Sequence, residues 1–217
     1  MNVAATADQR EGARHWFALA VGSLVLAGSF AALLVVARLP GLNRVFTDPA
    51  FFKRVLVVHV DLSIVVWFYA FIAGLYYLLP VRRGGRASAR VGAYLGAAGV
   101  ALLVTGAGAS GSQAILSNYV PVVDHPLFVA GLICFAVGLA LTMLRPALWP
   151  SSEVESGLVA LPDPARPALR AAAVAVLIAL TTFFASWLMT PRDLAADGYY
   201  EVVMWGGGHV LQFASVA

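Results

Sequence analysis

Cysteine and charge are what this sequence has least of. Its 217 residues include one cysteine, Cys134, and only 12% Asp, Glu, Lys and Arg, where an ordinary soluble domain has about 25% charged residues. A lone cysteine excludes an internal disulfide and any multi-cysteine metal cluster, and with Leu127 and Phe135 around it Cys134 reads as a small core residue. The charge surplus is just +3, spread over short loops, so a disordered chain and a nucleic-acid-binding surface are both excluded. There is no internal repeat, no low-complexity tract and no sign of a second soluble domain. What fills the chain is hydrocarbon: 61% of residues are hydrophobic, against about 45–50% in soluble proteins.

That hydrocarbon is arranged in runs. A helix crossing a bilayer needs about 20 mostly apolar residues, because each residue rises about 1.5 Å through a core about 30 Å thick. Six segments meet the requirement, at residues 16–37, 55–79, 91–110, 127–144, 171–189 and 199–217. Unpaired backbone groups are costly in lipid, so the six are expected to be helices. The fold class is therefore all-α, a polytopic transmembrane bundle in one domain over residues 1–217. The first run is too long for a signal-peptide core and has Asp8 and Glu11 among its leading charges, so it reads as a retained span.

Counting Arg and Lys on alternate sides sets the orientation. Arg10, Arg14, Arg82, Arg83, Arg86, Arg90, Arg145, Arg166 and Arg170 fall on one side, and Arg38, Arg44, Lys53, Arg54 and Arg192 on the other. The imbalance predicts a cytoplasmic N-terminus, with solvated cytoplasmic loops at 82–90 and 146–167. In the third span Gly92 and Gly96 stand four apart, forming a small-residue face on which a neighbouring helix can pack closely.

Ionisable groups inside spans are costly, and each is a functional-site hypothesis. His59, Asp61 and His209 are three such groups. Neutral histidine ligates metals and haem iron. His59 lies about 9 Å and His209 about 15 Å below the outer boundary at the helical rise, depths that suit a shared cofactor layer. Leu62, Ser63 and Val66 are expected on the helical face of His59. Asp61 points elsewhere, either toward an arginine or a proton path, or toward the outer interface near Arg54. His209 follows three glycines, Gly206 to Gly208, which cost a helix about 1 kcal/mol each relative to alanine. They leave room for a bulky planar group or for close helix packing. His15 and His125 read as interfacial and turn residues.

The stretch His59-Val60-Asp61-Leu62-Ser63-Ile64-Val65-Val66-Trp67-Phe68 in the second span and Trp205-Gly206-Gly207-Gly208-His209-Val210-Leu211-Gln212-Phe213 in the sixth resemble subunit I of the haem-copper oxidase superfamily. By that resemblance His59 is an axial ligand of a low-spin haem iron, with haem of b type, and His209 is a ligand of the copper ion called CuB. The implied activity is that of an oxidoreductase in a bacterial plasma membrane, an electron-transport enzyme of the respiratory chain that reduces dioxygen to water. The implied electron donor is cytochrome c or quinol, and the implied partners are other oxidase subunits and membrane lipid, with no nucleic acid. Val210, Leu211, Gln212 and Phe213 stand where mitochondrial-type oxidases have Pro-Glu-Val-Tyr, which turns the resemblance toward the cbb-type oxidases and nitric oxide reductases. Phe213 also stands where the reductases have a glutamate.

The family completes its metal sites with histidines from later helices. The resemblance therefore makes this chain the N-terminal half of a catalytic unit, incomplete without the remaining helices of the subunit or a second chain carrying them. Two other readings stay open, a nitric oxide reductase-like subunit and a non-catalytic haem-binding or assembly subunit. Arg38, Arg44 and Arg54 are candidates for pairing with haem propionates.

Overall fold

A computed structural model describes residues 7–79, 86–145, 148, 162 and 164–216. Helix α1 (Ala7–Val36) is followed by a short 3-10 turn (Leu42–Arg44) and by α2 (Pro49–Val60), which runs without a break through a π-helical segment (Asp61–Val66) into α3 (Trp67–Tyr77). Then come α4 (Arg86–Gly108), strands β1 (Gln113–Ile115) and β2 (Val122–Asp124), α5 (Pro126–Met143), α6 (Ala165–Met189) and α7 (Ala196–Val216). Five stretches are long and apolar enough to cross a membrane: Arg10–Val36, Pro49–Tyr77, Arg90–Gly108, Pro126–Met143 and Ala165–Met189. The chain thus has transmembrane character. The expected sixth span is a helix, α7, but it is not one of these five. Its first turns carry Asp197 and Glu201, and its middle carries three glycines in a row. Of the expected loop at 82–90, residues 82–85 lie outside the described residues and 86–90 are instead the helical start of α4, while most of the loop at 146–167 lies outside the described residues.

Local chemistry sets the helix starts. Asp48 caps α2, accepting a 2.9 Å hydrogen bond from the Ala50 amide, and Pro49 supplies a first-turn residue whose missing N–H costs nothing there. His125 does the same for α5, its Nδ1 accepting from the Leu127 amide at 3.2 Å ahead of Pro126. His125 is therefore the turn residue the sequence suggests. Arg145, counted among the charges of the cytoplasmic side, is buried, its guanidinium 3.9 Å from the centre of the Tyr77 ring. Cys134 is only half-buried, at the margin of the core.

Glycine sets how α4 packs. Gly92, Gly99 and Gly106, spaced seven apart, lie against α5, where a methyl built on Gly99 would stand 2.7 Å from the Gly131 carbonyl oxygen and one on Gly106 would stand 2.5 Å from the Phe128 nitrogen. The two backbones touch, and no side chain fits between them. A methyl on Gly96 would meet Trp16 and Leu19 of α1, while one on Gly138 of α5 would stand 2.5 Å from the Gly92 carbonyl oxygen and 3.0 Å from the Gly96 nitrogen, so α5 comes close on the expected Gly92/Gly96 face. Trp16, buried completely with Tyr76, Phe128 and Met143, anchors the core.

The all-α expectation fails locally. Between α4 and α5 the chain forms a small antiparallel hairpin, pairing Gln113 with Asp124, Ala114 with Val123 and Ile115 with Val122. Val122 and Val123 are fully buried, so two short strands suffice. The hairpin carries the segment 116–121 over to α7.

Two outcomes test these assignments. Gly99→Ala lowers stability by about 1–3 kcal/mol through overpacking, whereas Gly22→Ala, which has nothing within 4 Å of the added methyl, leaves thermal unfolding in detergent unchanged or slightly raised. The Asp48 carboxyl is held below its ordinary range by the Ala50 amide first and by Arg54, whose Nη2 is 2.9 Å away. Its contribution is present above the unfolded pKa and is lost as pH falls through the lower folded one. The melting-temperature deficit of Asp48→Ala is accordingly full at neutral pH and closes in acid below the ordinary carboxylate pKa.

Candidate functional site

His59 lies in the last turn of α2, one residue before its end, and is half-buried. Its Nδ1 is 2.9 Å from the carbonyl oxygen of Ala27 in α1. A carbonyl only accepts, so Nδ1 carries the proton and donates it, leaving Nε2 of the neutral ring with a bare lone pair. One imidazole edge is thus fixed by the backbone, and the other keeps its lone pair.

Directly after His59 the span changes pitch. The π-helical turn over Asp61–Val66 adds about one residue per turn and rotates everything beyond it. The expected face of His59 breaks up as a result. Leu62 and Val66 pass into the core with no exposure, while Ser63 turns into a cleft. Asp61 is 1% exposed, and neither carboxyl oxygen has a hydrogen-bond partner among the described residues. Two of the sequence readings of Asp61 need correcting: it does not reach the outer interface, and among the described residues no arginine pairs with it, which leaves the proton-path reading. Arg54 turns instead to Asp48 and to the Ser112 carbonyl oxygen at 3.4 Å. Arg38 lies 5.3 Å from the centre of the Phe52 ring, so two of the three cations expected to meet propionates already have partners.

His209 stands on the opposite side of α7 from the buried Val203, Gly207 and Leu211. It is exposed, stacked on Trp205 with ring centres 5.5 Å apart and planes 11° from parallel. With Val202, Trp205, Phe213 and Val216 it forms an exposed stripe along the helix. Tyr119 reaches it from the hairpin, its hydroxyl oxygen 2.7 Å from His209 Nδ1. His59 and His209 share no partner. They are linked indirectly, for the buried Tyr69 of α3 donates its hydroxyl to the Leu211 carbonyl at 2.8 Å and ties the second span to α7. Between these helices and the hairpin tip lies an open cleft of about 610 Å³, walled by Ile64, Trp67, Phe68, Leu116 and Pro121, with Ser63 and Gln212 as polar points.

The three glycines before His209 make room for residues of this chain. A methyl on Gly207 would lie 2.5 Å from the Phe183 ring of α6, and one on Gly208 would collide with Cβ of Tyr119. Close packing, the second of the two sequence readings, is what the glycines serve here. Tyr119 takes a left-handed backbone, φ 68°, a conformation that costs a non-glycine residue about 1–2 kcal/mol. The cost is offset by the contacts that hold the tip on α7. Glu201 accepts from the Asn118 amide at 3.0 Å and from its side-chain nitrogen, and Tyr200 donates to Asp124 at 2.9 Å. Asn118, Tyr119 and Glu201 were invisible to sequence reasoning, since contacts 83 to 90 residues apart leave no local pattern. Among the described residues, no group of three or more His, Cys, Asp or Glu comes together to hold a metal.

No family model matches this chain, and no solved structure does. The five membrane-length helices are consistent with a membrane protein, and the relatives that match come from bacteria. An uncharacterized protein of Aquifex aeolicus is 31% identical over 201 residues, a match covering 92% of this chain and 49% of that protein. The uncharacterized protein RP382 of Rickettsia prowazekii is 26% identical over 228 residues, covering 93% of this chain and 44% of that protein. The chain spans about half the length of the curated relatives it matches.

Removing a paired buried charge costs about 3–5 kcal/mol, whereas neutralising an unpaired one does not. Asp61→Asn is therefore expected to melt no lower than the parent protein. A clear drop in its melting temperature would reveal a cationic partner for Asp61.

Proposed function

We propose that this chain is the N-terminal half of a haem-copper-type respiratory unit in a bacterial plasma membrane, with a cytoplasmic N-terminus and α7 as a sixth span. The observation that carries the reading is the bond from His59 Nδ1 to the Ala27 carbonyl at 2.9 Å. Ligating histidines characteristically donate their other ring nitrogen to a carbonyl or carboxylate, which fixes the ring and raises the basicity of the ligating atom. In this reading His59 Nε2 would hold the iron of a low-spin b-type haem, and His209 would hold a copper ion. Bound haem iron and copper supply electron transfer and dioxygen reduction.

The chain's own residues fit one ligand to each metal and no more. The α1 backbone holds the His59 ring against rotation, and Trp205 and Tyr119 hold His209. The exposed stripe on α7, apolar except for His209, is a surface for further helices, which bring the missing ligands. The relatives have chain to supply them, since about half of each lies beyond the match.

The test uses the full native polypeptide purified from membranes. A reduced-minus-oxidised spectrum of low-spin haem b is expected, lost in His59→Ala at unchanged protein level, with copper content lowered in His209→Gln. Oxygen and nitric oxide consumption by the same preparation separates an oxidase from a reductase. A haem spectrum with neither activity identifies a haem-binding subunit. A preparation without a Soret band, or one unchanged by His59→Ala, overturns the proposal.

A further inference from the structure

We infer that Tyr119, at the tip of the hairpin between α4 and α5, is the positioning residue for His209: it engages Nδ1 and presents Nε2 as the atom free to ligate a metal. The metal part of this inference rests on the function proposed above, whereas the positioning part stands on the geometry alone.

Four independent features converge on the contact. The Tyr119 hydroxyl lies 2.7 Å from His209 Nδ1, and the two rings meet edge to face with centres 5.5 Å apart. Gly208, the residue before His209, leaves the space that the Tyr119 Cβ fills. Tyr119 holds a left-handed φ of 68° to reach this place, a strain that persists only where the surroundings over-determine it. The surroundings do so here: Asn118 is clamped by Glu201, and Ser117 closes the turn with a 2.7 Å bond to the Val120 carbonyl.

On the other face of the imidazole, Trp205 stacks almost flat. The ring is therefore confined in rotation and in tilt, and Nδ1 is occupied. Nε2 is left on an exposed ring, with no hydrogen-bond partner among the described residues. His59 has the same arrangement by a different means, its Nδ1 held by a backbone carbonyl. A backbone oxygen cannot be removed by substitution and a tyrosine hydroxyl can, which makes His209 the testable case and His59 its control.

The experiment is nitrogen NMR of the full chain, labelled with 15N-histidine and held in detergent micelles, with His209 assigned by the signal lost in His209→Gln. Wild-type protein is expected to show the Nδ1–H tautomer at both His209 and His59, with the Tyr119 hydroxyl oxygen accepting from His209; an Nε2–H tautomer at His209 overturns the inference. Tyr119→Phe keeps the ring against Gly208 and loses only the hydroxyl, and is expected to show both tautomers at His209 with His59 unchanged. Glu201→Ala, which removes both bonds to Asn118, shifts His209 in the same direction. Cu(I) added as a probe is expected to bind tenfold or more weakly in Tyr119→Phe, the range in which orienting partners act on metal affinity. Unchanged tautomer populations in Tyr119→Phe overturn the inference. Released tautomers with no Cu(I) bound by either protein uphold the positioning role and overturn the copper reading of His209.

Discussion

In lipid every backbone amide and carbonyl must find its partner inside the protein, and this constraint shapes the whole molecule. It makes helices of the long apolar runs, and most hydroxyl side chains in them bond to backbone one turn back in the same helix. Where a side chain reaches the backbone of another element, the choice is informative. His59 takes the Ala27 carbonyl and Tyr69 takes that of Leu211, so the second span is stitched to α1 on one side and to α7 on the other. Both bonds come from the same continuous stretch, on either side of its π-helical segment.

The same constraint explains the hairpin. The segment between α4 and α5 could have been a plain turn, but it satisfies its own backbone by pairing β1 with β2 and so has a rigid tip. A rigid tip can hold a strained tyrosine against a distant helix, which a loose loop cannot. Glu201 and Tyr200, in the first turns of α7, secure the tip by polar bonds at the end of that helix, where water is at hand. The histidine deeper along α7 is reached by Tyr119 alone.

Much of this architecture was legible in the sequence. Five apolar runs are membrane-length helices, and His125 is the turn residue its neighbours Asp124 and Pro126 suggest. His59 and His209 stand out because ionisable groups are rare in such runs. Other features were not legible, for physical reasons. A π-helical turn has no composition of its own, so Asp61–Val66 read as ordinary helix and the faces beyond His59 were misassigned. Three-residue strands are too short for alternation to register. The glycines at 92, 99 and 106 carried a visible seven-residue spacing, but which helix each would touch depends on the packing of three elements at once. The segment of α7 before His209 showed its glycines plainly and hid what fills the space beside them, a ring from α6 and a ring from the hairpin.

The π-helical turn also bears on the lineage of this chain. An extra residue inside a helix can enter by insertion of a single codon, and the span absorbs it as one wide turn. The residues before it keep their neighbours, while those after it turn by about 100° about the helix axis. In a relative whose second span is an unbroken α-helix, the stretch between the counterparts of His59 and Tyr69 would therefore be one residue shorter. A one-residue gap in that place would mark which lineage gained the turn, and with it the orientation that lets Tyr69 reach α7.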